Sequence, residues 1–202
     1  MHIVDGALSD SVVIGGAILA VAGIAYGLKR MDLDRIPQIG MLSATFFVAS
    51  LIHVPVGPSS LHLILNGLIG LALGWAAFPA LFIALLLQAA FFGYGGLIVL
   101  GVNTVNIALP AVLMGLLFRP LVQHSPPKRA AIWGGVAAAG AIALTAVMVG
   151  LSLAFSGDAF IPAAKLALIS HIPVLVVEAT VTAATVSLLM RVKPDFFGAK
   201  GG

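Results

Sequence analysis

Long apolar runs, interrupted by short polar or turn-forming breaks, make up almost the whole chain. They cover roughly residues 10–28, 38–54, 61–77, 79–95, 104–118, 130–155 and 162–190. Most approach the ~20 residues that a helix needs to cross a hydrocarbon layer about 30 Å thick. The breaks carry turn chemistry, as in Val54-Pro55-Val56-Gly57-Pro58 and Ser125-Pro126-Pro127. Between Arg35 and Arg119 lie 83 residues without a Lys, Arg, Asp or Glu, room for roughly four crossings. The pattern predicts an all-α, polytopic membrane bundle of about seven transmembrane helices. It forms one integral membrane domain over 1–202: a short N-terminal segment (1–9), the helices (10–190) and a tail (191–202). The third and fifth runs are short and rich in Gly. Tilted, broken or partly re-entrant helices are expected there, which lipid permits only where other helices shield the backbone.

Charge fixes an orientation. If the first run passes from outside to inside, Lys29, Arg30, Arg35, Arg119, Lys128, Arg129, Arg191, Lys193 and Lys200 all fall on the cytoplasmic side, as the positive-inside rule asks. Only Lys165 does not. The N-terminus is then outside, the C-terminus cytoplasmic, and the setting a bacterial inner membrane. Only 8% of residues are charged against 61% hydrophobic, with a mean hydropathy of +1.17, too little charge to clothe a water-soluble domain. The net charge of +3 needs no nucleic acid to explain it. Residues 1–9 lack the basic start of a secretory signal. Small residues recur at helical spacing in Gly16, Ala20, Gly23 and Gly27, in Gly70 and Gly74, and in Ala179, Ala183 and Ser187; they predict close helix contacts or a docking face for another membrane subunit.

With no Cys, a metal must be held by nitrogen or oxygen. The nitrogen ligands are His2, His53, His62, His124 and His171. His124 falls in the cytoplasmic loop, whereas His53 and His62 flank a turn on the outer side, where residue 2 also lies. A His in second place can chelate with the free Met1 amine, its own backbone nitrogen and ring Nδ1. Three nitrogens then lie in a plane and one more imidazole would complete a square, a set suited to Ni(II), Cu(II) or planar Co(II) rather than Zn(II), Mg(II) or Ca(II). This needs an unblocked Met1, which a bulky second residue preserves. Ser59 or Ser60 reads as the N-cap of a helix with His62 in its first turn, in a structural or a ligating role. Asn66, four residues on, reads as its orienting partner, and His53 as an interfacial polar residue. His171 and Glu178 stand about 10 Å apart on one face of the last run, with Pro173 between them. They form either a buried hydrogen-bond network or a permeation element.

Met1-His2-Ile3-Val4-Asp5-Gly6-Ala7-Leu8-Ser9 together with Gly57-Pro58-Ser59-Ser60-Leu61-His62-Leu63-Ile64-Leu65-Asn66-Gly67 resembles the CbiM/NikM family, the substrate-binding membrane subunits of energy-coupling-factor (ECF) cobalt and nickel transporters. The resemblance runs over nearly the whole hydrophobic chain. It implies that the N-terminal segment tucks into the bundle and that Met1, His2 and His62 hold the metal in a near-planar nitrogen set. It assigns no ligand role to His53 or His171. Val4 departs from the family's common Pro without removing a donor. The resemblance also implies partners: a transmembrane coupling subunit of the CbiQ type, two cytoplasmic ATPases of the CbiO type and a small membrane subunit of the CbiN type. No Lys follows a Gly in a G-x-x-x-x-G-K-[ST] cradle, so the energy comes from outside this chain. The reading is therefore a transport subunit, not an enzyme and without a prosthetic group, importing Co(II) for cobalamin biosynthesis or Ni(II) for nickel enzymes. Two rivals come from other classes. Gly57-Pro58-Ser59-Ser60 with His171 would suit an intramembrane serine protease, and His171 with Glu178 a proton-relaying pump or channel.

Overall fold

The computed structural model describes residues 3–51, 53–56 and 59–198, with the backbone alone for 53–56 and 59–61. Seven α-helices form: α1 (Asp10–Lys29), α2 (Ile36–Ala49), α3 (Asn66–Leu73), α4 (Ala77–Phe92), α5 (Leu100–Gln123), α6 (Pro127–Ala154) and α7 (Ile161–Val192). A small antiparallel hairpin, β1 (His53–Val56) and β2 (Ser59–His62), separates α2 from α3 and pairs His53 with His62. Helix is the only backbone form that satisfies every N–H and C=O internally within a lipid-facing segment, so the apolar runs become helices. The hairpin survives at the bundle's end because its two strands satisfy each other.

Contacts fix the direction of each helix. Asn66 Nδ2 donates to the Ile107 carbonyl at 3.2 Å, Gly70 abuts Ala111, and Gly74 lies beside Arg119, so α3 runs with α5. Ser43 Oγ donates to the Ala80 carbonyl at 2.8 Å and Gln88 Nε2 to Ser50 Oγ, so α4 runs with α2. Arg35, which leads into α2, donates to the Ala72 carbonyl at 2.9 Å; α3 therefore arrives where α2 and α4 set out. The chain turns back over the 3-10 stretch Gly74–Ala76, where Gly74 takes φ 56° and ψ −127°, a backbone state that a side chain disfavours. α1 passes from Val102 and Gly101, at its Gly16 and Ala17, to Phe78 and Trp75, at its Gly23 and Gly27. Asn106 meets Ser152, and Gly134 meets Val186. Helices α1, α3, α5 and α7 thus run one way and α2, α4 and α6 the other.

Five helical stretches are long and apolar enough to cross a membrane: Asp10–Lys29, Asn66–Phe92, Leu100–Gln123, Pro127–Ala154 and Asp158–Val192. The second is not one straight crossing, because it reverses at Gly74. Its first part, α3, has eight residues, all buried, and spans about 12 Å. It is the broken, protein-shielded segment expected of the third run. α2 has 14 residues, about 21 Å, short of the hydrocarbon thickness. Five stretches thus have spanning length, and the expected count of about seven crossings is matched in number of helices but not in helices of spanning length; the fold is a helical bundle of long helices around one half-length helix.

The small-residue stripes serve contacts within the chain. A Cβ on Gly70 would overlap the Ala111 carbonyl, and one on Gly115 the Gly70 carbonyl, so α3 sits against α5 backbone to backbone. Gly16, Gly23 and Gly27 pack on Val102, Phe78 and Trp75, and Gly135 receives Ala183. Such approach is how helices associate where no water drives them together.

Candidate metal site

At one end of the bundle the N-terminal segment folds inward. Ile3 is buried against Val102, Val149, Leu153, Ala164 and Ala167. Its backbone is held at both polar atoms by one side chain: Ile3 N–H donates to Asn103 Oδ1 at 3.0 Å, and Asn103 Nδ2 donates to the Ile3 carbonyl at 2.9 Å. Asp5 adds a second anchor, its Oδ1 accepting the N–H groups of Ile98 and Val99 at 3.1 Å each. These precede α5, so the carboxylate caps an end that has no cap of its own. Between the two anchors Ala7 N–H closes a turn on the Val4 carbonyl at 3.3 Å. Met1 and His2, two of the three expected ligands, lie outside the described residues.

The expected third ligand, His62, is buried, with ring Nδ1 3.1 Å from the Leu63 carbonyl. Its setting corrects the sequence reading. His62 ends β2 rather than occupying a first helical turn, and the helix starts at Asn66 with Leu65 as N-cap, not Ser59 or Ser60, which stand in β2. The cause is Glu178 of α7. Its Oε1 accepts the N–H groups of Ile64 and Leu65, the latter at 2.8 Å. A carboxylate from another helix thus holds the two N–H groups just ahead of the first turn of α3, and the chain stays non-helical up to Leu65, which takes a left-handed φ of 51°. Asn66 therefore does not share a helical face with His62. Its Nδ2 instead ties α3 to Ile107 and to Thr145 Oγ1, at 3.2 and 3.0 Å. His53 stands across the hairpin from His62 in backbone register.

Asn103 and Ile107, which hold Ile3 and Asn66, are one turn apart on α5, about 6 Å. On α7, Ala167 packs with Ile3, His171 follows one turn later and Glu178 two turns after that. His171 Nδ1 lies 2.6 Å from the Ala167 carbonyl. Asn66 Oδ1, His171 Nε2 and Glu178 Oε2 are buried and have no hydrogen-bond partner among the described residues. Polar atoms thus cluster between the N-terminal segment and the chain around His62. Among the described residues no three of His, Asp or Glu are grouped closely enough to hold a metal. His124 is exposed and bonded to its own helix, through the Pro120 carbonyl at 2.7 Å, as its loop position predicts.

Asn103 and the part played by Glu178 in holding Ile64 and Leu65 escaped the sequence reading. Asn66, Gln88, Asn103 and Asn106 are the amides between residues 66 and 106, a stretch without charged residues, and polar groups inside a membrane segment need a reason to be there; that was the available signal. Asn103→Ala is expected to leave both polar atoms of Ile3 unpaired and, for a metal held by the residues that the sequence reading expects, to weaken its binding by roughly 10- to 100-fold, as loss of an outer support does. Titration calorimetry would measure it, and unchanged affinity would show that the segment needs no such anchor.

A short buried helix, a tucked N-terminal segment and buried polar atoms without partners among the described residues define a membrane protein with a small polar site at one end. Comparison with known proteins places that class in a family. Residues 2–196 match the CbiM model, described as "Cobalt uptake substrate-specific transmembrane region". A Haemophilus influenzae protein named as a metal transport protein is 43% identical over 202 residues, covering 96% of each chain. The cobalt transport protein CbiM of Geobacter sulfurreducens is 29% identical, matching all of this chain and 62% of its own length. The crystal structure of a truncated transition metal transporter superposes with a TM-score of 0.73 at 28% identity, over 95% of this chain and 97% of that one. The chain belongs to the CbiM family, whose members are multi-pass membrane components of cobalt and nickel transport.

Proposed function

We propose that this chain is the substrate-specificity subunit of an ATP-driven ECF importer, which captures Co(II) at the outer face for cobalamin biosynthesis, with Ni(II) as the alternative cargo. The observation that carries this is the double clamp of Asn103 on Ile3. It seats Ile3 one helical turn along α5 from the group that holds Asn66, and the proposal requires the two preceding residues, which can span at most about 7 Å, to meet His62. Met1, His2 and His62 would then supply four nitrogens in a plane. Glu178 positions the His62 segment through Ile64 and Leu65.

The bundle's two ends support an orientation with the N-terminus outside and the C-terminus in the cytoplasm. Arg30, Arg35 and Arg119 surround one cavity at the end opposite Ile3, and the helix ends bearing Lys29, Lys128, Arg129 and Arg191 meet there. Among the described basic residues only Lys165, near the start of α7, lies towards the other end. The partners would be coupling, ATPase and small membrane subunits of the CbiQ, CbiO and CbiN types. A fused nickel transport protein, NikMN, of Rhodobacter capsulatus, 34% identical over 118 residues, agrees with a small subunit of that last kind. Nothing favours a protease: His171 Nδ1 is committed to its own helix, and the relatives named above carry metal-transport names.

The test is cobalt content and the visible spectrum of protein purified with a native start, against a form with an uncleaved N-terminal tag. Loss of cobalt and of the planar signature in the tagged form is expected, and equal loading of the two would overturn the mechanism. An amine of ordinary pKa 7.7–8.0 and imidazoles near 6.5 must be deprotonated to bind. Apparent affinity should therefore fall steadily from about pH 8 to pH 6.

A further inference from the structure

At the basic end, under the turn that closes α3, lies a cavity of about 380 Å³ that the metal site does not use. Arg30, Arg35 and Arg119 line it, with Tyr26 and Trp75 at the side and Asp32 as the acid among its walls. Arg30 and Asp32 are exposed, so the cavity opens at the surface. Each guanidinium is held by part of its donor set only. Arg35 binds Gln38 through Nε and Nη2, and Nη2 also reaches the Ala72 and Phe196 carbonyls. Arg119 Nε donates to the Phe197 carbonyl at 2.9 Å. Arg30 Nε donates to the Tyr26 hydroxyl at 3.1 Å, with its charge 5.3 Å from that ring's centre. The Nη groups of Arg30 and Arg119, and Nη1 of Arg35, have no acceptor among the described residues, and none of the three pairs with a carboxylate there. Three positive charges thus face one negative charge, and several forked donors point to no partner among the described residues.

Forked guanidinium donors match phosphate oxygens. The walls add apolar Leu73, Leu116 and Ile39, and Tyr26 and Trp75 meet edge to face at 4.6 Å; aromatic pairs of this kind sit at the headgroup level of membrane proteins. A free soluble anion would have no use for that apolar side. We infer that this cavity binds the phosphate headgroup of an anionic phospholipid, with the acyl chains along the apolar wall. Gly74 belongs to the wall and lies beside Arg119 Nη1. The lipid would therefore touch the turn at which α3 ends.

The purified protein in detergent would be titrated with phosphatidylglycerol, with phosphatidylcholine and with inorganic phosphate, and bound lipid counted by native mass spectrometry. Phosphatidylglycerol should bind well ahead of phosphatidylcholine, and millimolar phosphate should displace little of it. Each basic residue near an anionic surface contributes about fivefold, so Arg30→Gln with Arg119→Gln should weaken phosphatidylglycerol roughly thirtyfold. Lys128→Gln with Arg129→Gln, at the same end but outside the cavity, should change it less than about threefold. The exposed single variant Arg30→Gln should still show its fivefold share if the double variant fails to fold. Equal binding of the two lipids, equal losses from the two double variants, or full displacement by free phosphate would each overturn the assignment.

Discussion

His62→Ala is expected to lower cobalt affinity by at least about a hundredfold, since loss of an outer-shell partner alone costs 10- to 100-fold and this residue is proposed as a ligand. The fold should hold, because the segment around His62 is fixed through the backbone N–H groups of Ile64 and Leu65. His124→Ala is the matched control: its ring is exposed and bonded within its own helix, so cobalt affinity should not move. Equilibrium dialysis with radioactive cobalt on both variants measures the difference. Retained affinity in His62→Ala would remove this residue from the donor set, and Ser59→Ala, which leaves every nitrogen in place, should bind as the wild type does.

Glu178→Ala should produce the largest loss of stability. Its carboxylate is fully buried and takes two backbone N–H groups, from Ile64 and Leu65, across 114 and 113 residues of chain. Removing it leaves both donors without an acceptor in a place water does not reach, at about 1–3 kcal/mol for each, so on the order of 3 kcal/mol in total. Glu178→Gln keeps an acceptor oxygen at the same reach and should recover more than half of that. Unfolding in detergent, followed by circular dichroism, would show both. Equal losses in the two variants would mean that the side chain's packing matters and its capping does not. Cobalt affinity should follow the same order as stability, because the segment being capped is the one that carries His62.

Much of the helical frame was legible. Runs 10–28, 130–155 and 162–190 reappear as Asp10–Lys29, Pro127–Ala154 and Ile161–Val192, because a lipid-facing helix must be apolar for most of its length and little else competes with that requirement. Run 104–118 extends at both ends, taking in Asn103 and Arg119, polar residues that mark an end in hydropathy but pair inside the protein. The segment from His53 to Asn66 was misread because its decisive partner is remote. Ser-Ser-x-His looks like a helix start within any local window, whereas the acceptor that holds Ile64 and Leu65 comes from α7. At the site the residue types were legible and their supports were not: His62 stood out by chemistry, Asn103 only by being polar among apolar neighbours.

The clasp between Ile3 and Asn103 joins residues 100 positions apart, and this imposes an order on biogenesis. Ile3 is made well before Asn103, and nothing can seat it until four helices and a hairpin later, when α5 has been synthesised. Through that interval the segment ahead of α1 must wait without its partner, and this contact is closed by a part made long before the residue that holds it.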